Sequence, residues 1–150
     1  VKQCRDLPGQ ELFEYVDSEG LVQSVGSGDI NDYIREVTGE EFTAKDFRTW
    51  SATVLAVTAL RELPAAVTKG RSEKNVITAI EAVARLLGNT RAVCRKSYVH
   101  PGVIDSYMDG TMAKLLTRRS KPARIAGLRP DEVAVLQILK SVSTKEAKAA

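Results

Sequence analysis

Apolar residues recur at two spacings along the chain, which predict a short hairpin followed by a series of helices. The pattern LFEYVDSEGLVQSV, from Leu12 to Val25, is typical of two short strands around a turn at residues 17–20. Beyond this turn the apolar residues between positions 30 and 37 stand at helical spacing, and Asp29 is a suitable cap before them. We therefore expect a hairpin and then a first helix.

The remaining periodic segments are all helical. Thr43 can cap an apolar run that Pro64 ends, because proline cannot continue a helix. The predicted helices run from about Ala44 to Leu63, from a cap at Ser72 to Gly88, from Ala92 to Tyr98, from Val103 to Gly110 and from Pro130 onward. The fold class is therefore mainly α with a small β-hairpin near the amino end. We expect a single domain over residues 1–150, with a hairpin region at 1–28, a helical core at 29–110, and a basic segment and terminal helix at 111–150.

The composition fits one hydrophobic core and excludes several classes of protein. The chain has 150 residues, of which 43% are hydrophobic, enough for a domain of ordinary size. Two cysteines, Cys4 and Cys94, with the single histidine, His100, cannot supply a closed four-ligand zinc site of the Cys/His type. No apolar stretch approaches the roughly 20 residues that cross a bilayer. We expect neither a metal nor a membrane partner.

Charge is segregated along the chain. Residues 1–43 hold three Lys or Arg against ten Asp or Glu, a sum of −7, whereas residues 44–129 hold sixteen against six, a sum of +10. The segment from Lys114 to Arg129 carries six cations and no anion, which favours exposure. A basic block after an acidic one indicates a polyanion partner such as nucleic acid, with a merely solvated surface as the alternative.

The candidate chemistry lies in a set of cations, one amide and one tyrosine hydroxyl. Its members are Lys45, Arg48, Asn89, Arg91, Arg95, Lys96 and Tyr98. A tyrosine oxygen can attack phosphorus, although ionising an ordinary tyrosine, with a pKa of about 10, costs roughly 4 kcal/mol at neutral pH. Guanidinium groups offset part of that cost and bind phosphate oxygens in pairs. On these residues alone, a tyrosine packed in the core is the more ordinary interpretation, and His100 is a structural histidine.

Three strings in this order change that interpretation. LPGQELFEYVDSEG, DINDYIREVTGEEFTAKDFRTW and LLGNTRAVCRKSYVHP resemble the catalytic domain of type IB DNA topoisomerases, specifically the compact bacterial and poxvirus branch. The resemblance runs from about Leu7 to Gly110, some two thirds of the chain. Tyrosine recombinases share the chemistry and the general fold, but they are not expected to carry KDFRTW and CRKSY.

The resemblance implies a reaction and assigns residues to it. In this family a tyrosine attacks one DNA strand and leaves a 3′-phosphotyrosyl link and a free 5′-hydroxyl. The broken strand swivels, and the hydroxyl then reverses the reaction without ATP, any other cofactor or a metal. The match to SYVHP implies that Tyr98 is the nucleophile, and KDFRTW implies that Arg48 binds the scissile phosphate. Asn89 stands where many relatives have a histidine that donates to a non-bridging oxygen. The implied DNA-binding residues are Lys45, Arg91, Arg95 and Lys96.

Two further groups of the family, an additional arginine and a general-acid lysine, lie upstream of the LPGQ string, and only six residues precede Leu7. We therefore expect a carboxyl-terminal catalytic part of a type IB topoisomerase, weak or inactive when isolated. The expected partners are supercoiled duplex DNA and the missing amino-terminal part of the same enzyme, which acts as a monomer. The expected location is the bacterial cytoplasm, in association with the nucleoid.

Two other functions stay open at this point. A site-specific tyrosine recombinase would recognise a defined DNA site and assemble four protomers. A noncatalytic helical DNA-binding module would use the cations alone, with Tyr98 packed in the core. Formation of a tyrosyl adduct, and its dependence on DNA sequence, separates the three functions.

Overall fold

Residues 13–117 and 125–149 are described by a computed structural model, which contains a hairpin followed by helices. In chain order the elements are β1 (Glu14–Val16), β2 (Val22–Ser24), α1 (Ser27–Thr38), α2 (Ala44–Glu62), α3 (Lys69–Leu86), α4 (Arg91–Ser97), α5 (Pro101–Met108), α6 (Thr111–Thr117) and α7 (Pro130–Ala149). The predicted mainly α fold with a small hairpin near the amino end is confirmed. The chain divides into two compact units, Val1–Asp46 and Phe47–Ala150. The single domain with three regions stays a prediction.

The first unit contains the hairpin and α1. β1 and β2 pair antiparallel, with Tyr15 opposite Gln23. Asp17 fixes the turn between the strands, because its Oδ1 accepts the backbone N–H groups of Glu19 and Leu21 at 3.0 and 2.9 Å. Gln23 donates to the other carboxylate oxygen at 2.8 Å, and this bond is the largest of those that lower the pKa of Asp17. A side chain thus fixes the turn that the sequence pattern predicted at residues 17–20.

Two helices begin about one turn earlier than predicted, which corrects two caps. α1 starts after Gly26, and the carboxylate of Asp29 reaches back from the third helical position to the Gly26 N–H at 2.8 Å. α3 starts after Thr68, whose hydroxyl accepts the Arg71 N–H at 3.2 Å, whereas Ser72 is buried inside the helix. Both first turns are polar, so apolar periodicity gives no sign of them.

The second unit is built around α2. The buried residues of this helix are Ala52, Thr53, Val54, Ala56, Val57 and Leu60. At about 100° per residue they cover an arc of roughly 200°, so neighbours pack on more than half of the helix surface. The core is completed by residues that include Val76, Ile80 and Val83 of α3, Val103 of α5, and Val135 and Ile138 of α7. α3 packs on α4 and α5, and α7 packs on α5 and α6.

Polar contacts near its two ends hold α7 in the second unit. At its start Glu132 accepts the indole N–H of Trp50 at 3.1 Å and the backbone N–H of Arg129 at 2.8 Å. Near its end the Lys145 Nζ donates to Asp109 Oδ2 at 2.8 Å. The terminal helix is therefore held at both ends, once to α2 and once to the α5–α6 junction.

The predicted basic segment from Lys114 to Arg129 is described in part. α6 ends at Thr117, and the description resumes at Ile125. The cations between them, Lys121 among these, lie outside the described residues. None of the helices in the described ranges is long and apolar enough to cross a membrane.

Candidate functional site

Arg48 lies on the exposed side of α2 and is held by two contacts. Its Nη2 donates to the carbonyl oxygen of Leu87 at 3.0 Å. Its guanidinium carbon lies 5.1 Å from the centroid of the Tyr98 ring, a cation–π contact. The Leu87 carbonyl uses one of the five N–H groups of the guanidinium. The exposed Arg48 is thus oriented beside Tyr98, and it has further N–H groups besides the one that Leu87 accepts.

The turn that ends α3 positions Asn89. Gly88 adopts the left-handed region at φ 65°, and the N–H groups of Gly88 and Asn89 bond back to carbonyls of the last helical turn at 3.3 and 2.9 Å. These two bonds form a Schellman motif, which favours glycine because of the positive φ. The side-chain Nδ2 of Asn89 then donates to Leu87 O at 3.2 Å. Helix termination itself brings this amide to the oxygen that Arg48 contacts.

Tyr98 follows α4 directly and is half-buried. Its N–H and that of Val99 both bond to the Cys94 carbonyl at 3.1 Å, which closes the helix. Val99 is buried in the core, and the partly buried Tyr98 packs against this core. The next peptide is tied to α2, because the hydroxyl of Thr53 accepts the His100 N–H at 3.2 Å.

These contacts bring the three predicted catalytic residues together. Arg48 and Asn89 donate to one oxygen, and Arg48 also covers the ring of Tyr98. The three side chains come from α2, from the turn after α3 and from the end of α4, which share one core. The grouping is the one that the hypothesis requires, while their roles in a reaction stay a prediction.

The predicted DNA-binding residues of α4 are exposed. At about 100° per residue, Arg91 and Arg95 lie within roughly 60° of the direction of Tyr98, whereas Lys96 lies about 160° away. Arg91 pairs with Glu81 at 2.9 Å, so part of its charge is already offset. Within the described ranges, Arg95 and Lys96 form no ion pair. Two cations therefore share the tyrosine side of this helix, one of them without a carboxylate partner in those ranges.

Lys45 belongs to the first compact unit. It is exposed in the first turn of α2. Beside it the hydroxyl and the N–H of Thr43 donate to Asp46 at 2.7 and 2.8 Å, and these bonds, the hydroxyl first, lower the pKa of Asp46. The assignment of Lys45 as a phosphate contact stays a prediction.

His100 and Cys94, next to the site, have structural roles. His100 caps α5, because its Nδ1 accepts the Gly102 N–H at 3.1 Å. Cys94 is buried, and burial raises the pKa of its thiol, which disfavours the reactive thiolate. In the described part of the chain, no group of three or more His, Cys, Asp and Glu side chains could hold a metal ion.

Two residues of the site were missed at the level of sequence. Leu87 contributes only its backbone oxygen, which no side-chain motif reveals. Thr53 is a buried polar residue in the apolar run SATVLAVTAL, and this polar position in a buried helix is the signal that could have drawn attention to it.

The arrangement is suited to binding an oxyanion next to a hydroxyl. A guanidinium and a neutral amide meet at one acceptor oxygen, and each retains further N–H groups. Donors of this kind, fixed before the reaction, stabilise charge that develops on phosphate oxygens. The Tyr98 ring carries an oxygen nucleophile beside the same cation. This chemistry fits attack on a phosphodiester.

Comparisons with known proteins point the same way. The family model described as "Eukaryotic DNA topoisomerase I, catalytic core" matches residues 1–122. DNA topoisomerase 1B of Acanthamoeba polyphaga mimivirus is 36% identical over 116 residues, which cover 73% of this chain and 34% of that protein. The chain thus spans about a third of the length of this relative. The relative is viral, so it does not support the predicted bacterial source, and the poxvirus-like branch stays a prediction.

Proposed function

The chain belongs to the type IB DNA topoisomerase family, and we propose that it carries the tyrosine site that cuts and rejoins one strand of duplex DNA. The observation that supports this most strongly is the position of Arg48, which shares an acceptor oxygen with Asn89 and lies over the ring of Tyr98. A core tyrosine without a role would not need a guanidinium over its ring that shares an acceptor with a second donor.

In the proposed cleavage step the Tyr98 hydroxyl oxygen attacks the phosphorus of one phosphodiester. The bond from this oxygen to phosphorus forms while the bond from phosphorus to the 5′ oxygen breaks. The phenol proton passes to solvent, and a general acid protonates the departing 5′ oxygen. The products are a 3′-phosphotyrosyl ester and a 5′-hydroxyl, and rejoining is the reverse reaction. Because the phosphotyrosyl ester conserves the free energy of the broken phosphodiester bond, rejoining consumes no nucleotide.

Arg48 and Asn89 are proposed to hold the non-bridging oxygens of that phosphate. Negative charge on these oxygens grows as phosphorus becomes pentacoordinate, and both donors are already in place. Asn89 is neutral, so its hydrogen bond is worth about half of a charge-assisted one, but it does not titrate. The contribution of the amide should therefore be independent of pH where a histidine's would not be.

Binding of duplex DNA is proposed to be mainly electrostatic. Arg91, Arg95 and Lys96 would contact backbone phosphates, with Lys45 and the basic segment as further contacts. Each phosphate that is neutralised steepens the dependence of log affinity on log salt by about 0.9. Such contacts position a protein on DNA without identifying bases, so the expected sequence preference is weak.

For the complete enzyme we propose relaxation of supercoiled DNA by strand swivelling between cleavage and rejoining. The lysine that protonates the 5′ oxygen and a further arginine are proposed to come from the amino-terminal part of the same enzyme. Because loss of a general acid costs about 10² to 10⁴ in rate, the 150 residues alone should relax plasmid poorly. We propose that the enzyme acts as a monomer in the cytoplasm, in association with the nucleoid.

The test is formation of a covalent adduct on DNA. The full-length protein that contains this chain is mixed with a labelled duplex of random sequence, and the covalent adduct is trapped with detergent. The expected result is a labelled protein band in the wild type and none in Tyr98→Phe. Tyr107→Phe is the matched control, since the Tyr107 hydroxyl accepts a structural hydrogen bond from Asn75 at 2.7 Å.

The outcomes separate the three functions. An adduct on any duplex that depends on Tyr98 supports the proposal. An adduct at only one DNA sequence would favour a site-specific recombinase instead. DNA binding without any adduct would leave a noncatalytic DNA-binding module.

A further inference from the structure

Thr53 is a buried polar residue that links two parts of the site. Its side chain is 2% exposed, on the face of α2 that packs into the core. Its hydroxyl donates to the carbonyl of Thr49 in its own helix at 2.7 Å. It also lies 3.4 Å from the Tyr98 carbonyl oxygen and accepts the His100 N–H at 3.2 Å. A single hydroxyl thus connects α2 with the residues on either side of Val99.

The hydrogen-bond pattern of this segment explains why the hydroxyl is needed. The N–H groups of Tyr98 and Val99 both go to the Cys94 carbonyl, and that of His100 goes to the Thr53 hydroxyl. Because the hydroxyl proton points to the Thr49 carbonyl, a lone pair is free to accept the His100 N–H. Loss of the acceptor would leave the His100 N–H without its partner in the protein, next to the buried Val99.

The position of Thr53 relates it to the nucleophile and to its phosphate ligand. Thr53 lies five residues after Arg48 in the same helix, and His100 lies two residues after Tyr98. The hydrogen bond between Thr53 and His100 therefore fixes the tyrosine's backbone against the helix that carries the arginine. The contact of Arg48 with the Tyr98 ring joins an exposed side chain to a half-buried one, whereas the Thr53 side chain is buried.

We propose that Thr53 is a positioning residue for the cleavage reaction, which holds the backbone of Tyr98 at the distance from Arg48 that in-line attack requires. The inference rests on the proposed function. Because Thr53 is buried, it acts by holding the Tyr98 backbone in place and not by contact with DNA. A misplacement of about 1 Å in a nucleophile can cost about 10²-fold in rate, so a loosened peptide should slow cleavage measurably.

The test compares Thr53→Val, which keeps the shape and removes the hydroxyl, with Thr53→Ser, which keeps the hydroxyl. Both are made in the polypeptide of natural length. The readout is the single-turnover rate of adduct formation at saturating duplex DNA, with affinity measured separately in a Tyr98→Phe background. Thr53→Val should slow adduct formation about tenfold to a hundredfold. Thr53→Ser should stay within about threefold, and DNA affinity should not change in either variant.

Thr78→Val is the matched control. The Thr78 hydroxyl also donates to the carbonyl four residues earlier, at 3.1 Å, but it lies in α3 and is exposed. The control should cleave DNA at the wild-type rate. If Thr53→Val does not fold, Thr53→Ala carries the same comparison, because it removes the hydroxyl without placing a methyl group against the His100 N–H.

Three results would overturn the inference. They are a wild-type rate in the variants without the hydroxyl, an equal loss in Thr53→Ser, and an equal loss in Thr78→Val. In each of them the wild-type protein still forms an adduct, so the proposed function stands. Absence of an adduct from the wild type itself would instead remove the proposed function, and the inference with it.

Discussion

Replacement of Arg48 by lysine separates a role in catalysis from a role in folding. Lysine retains the positive charge, but it has no planar fork for two phosphate oxygens and packs differently on the tyrosine ring. Two contacts of the native guanidinium are affected, the hydrogen bond to Leu87 O at 3.0 Å and the stacking on Tyr98 at 5.1 Å. The variant therefore changes geometry while it keeps charge.

The expected loss of folding stability is small and the expected loss of cleavage rate is large, so the two roles can be told apart. An exposed cation–π contact contributes about 0.5–1 kcal/mol, and an exposed hydrogen bond to a carbonyl about 1 kcal/mol. A domain of ordinary stability, about 5–15 kcal/mol, would remain more than 90% folded after that loss. Removal of a transition-state donor costs about 10² to 10³ in rate. A large loss of cleavage in Arg48→Lys could then not be explained by unfolding.

The assay measures both quantities on the same protein. Stability is followed in urea through the fluorescence of Trp50, the single tryptophan of the chain. Cleavage is followed as the single-turnover rate of adduct formation on a duplex whose short downstream strand dissociates. Arg61→Lys, an exposed arginine of the same helix, is the control and should leave both values unchanged. A cleavage rate within threefold of wild type in Arg48→Lys would refute the assignment of Arg48 as a phosphate ligand.

Three further predictions concern Asn89, Asp109 and α7. Asn89→Ala should slow adduct formation about tenfold to a thousandfold, while Asn89→His should retain it; a wild-type rate in the alanine variant removes Asn89 from the site. Partial burial raises the pKa of Asp109, but hydrogen bonds, that of Lys145 first, outweigh burial and lower the pKa from 3.8 to about 2. Because the folded pKa is lowered, the carboxylate stabilises the fold above the unfolded pKa, and this stabilisation is lost as pH falls from about 4 toward 2. Asp109→Asn should flatten the dependence of Tm on pH in that window, and an unchanged dependence contradicts the assignment. Glu132→Ala, which removes the acceptor of the Trp50 indole N–H, should lower the Tm and shift the tryptophan emission; an unchanged spectrum would contradict the contact.

The sequence predicted helices with a long apolar run well and helix starts made of polar residues poorly. Helix α2 was predicted closely, because its apolar run is long and Pro64 ends it. The starts of α1 and α3 were placed about a turn late, because polar first turns have no apolar periodicity. Gly88 was predicted as a terminator, and the structure adds that this turn also orients Asn89.

The candidate site shows the same division. Arg48 and Tyr98 stand in strings that resemble a family, so the sequence could single them out. The two acceptors that organise them could not be predicted, since the Leu87 oxygen is backbone and the Thr53 hydroxyl meets a segment 47 residues away in sequence. Such contacts form only after the helices have packed.

Identification of the residue that carries DNA decides whether Tyr98 is the nucleophile. The trapped adduct is digested with nuclease and with trypsin, which cuts after Lys96 and Lys114 and releases the peptide 97–114 with both Tyr98 and Tyr107. Fragmentation in the mass spectrometer then locates the nucleotide mass. We expect a 3′-linked nucleotide phosphate on Tyr98 and an unmodified Tyr107. A nucleotide on any other residue, or a link through a 5′-phosphate, would contradict this assignment.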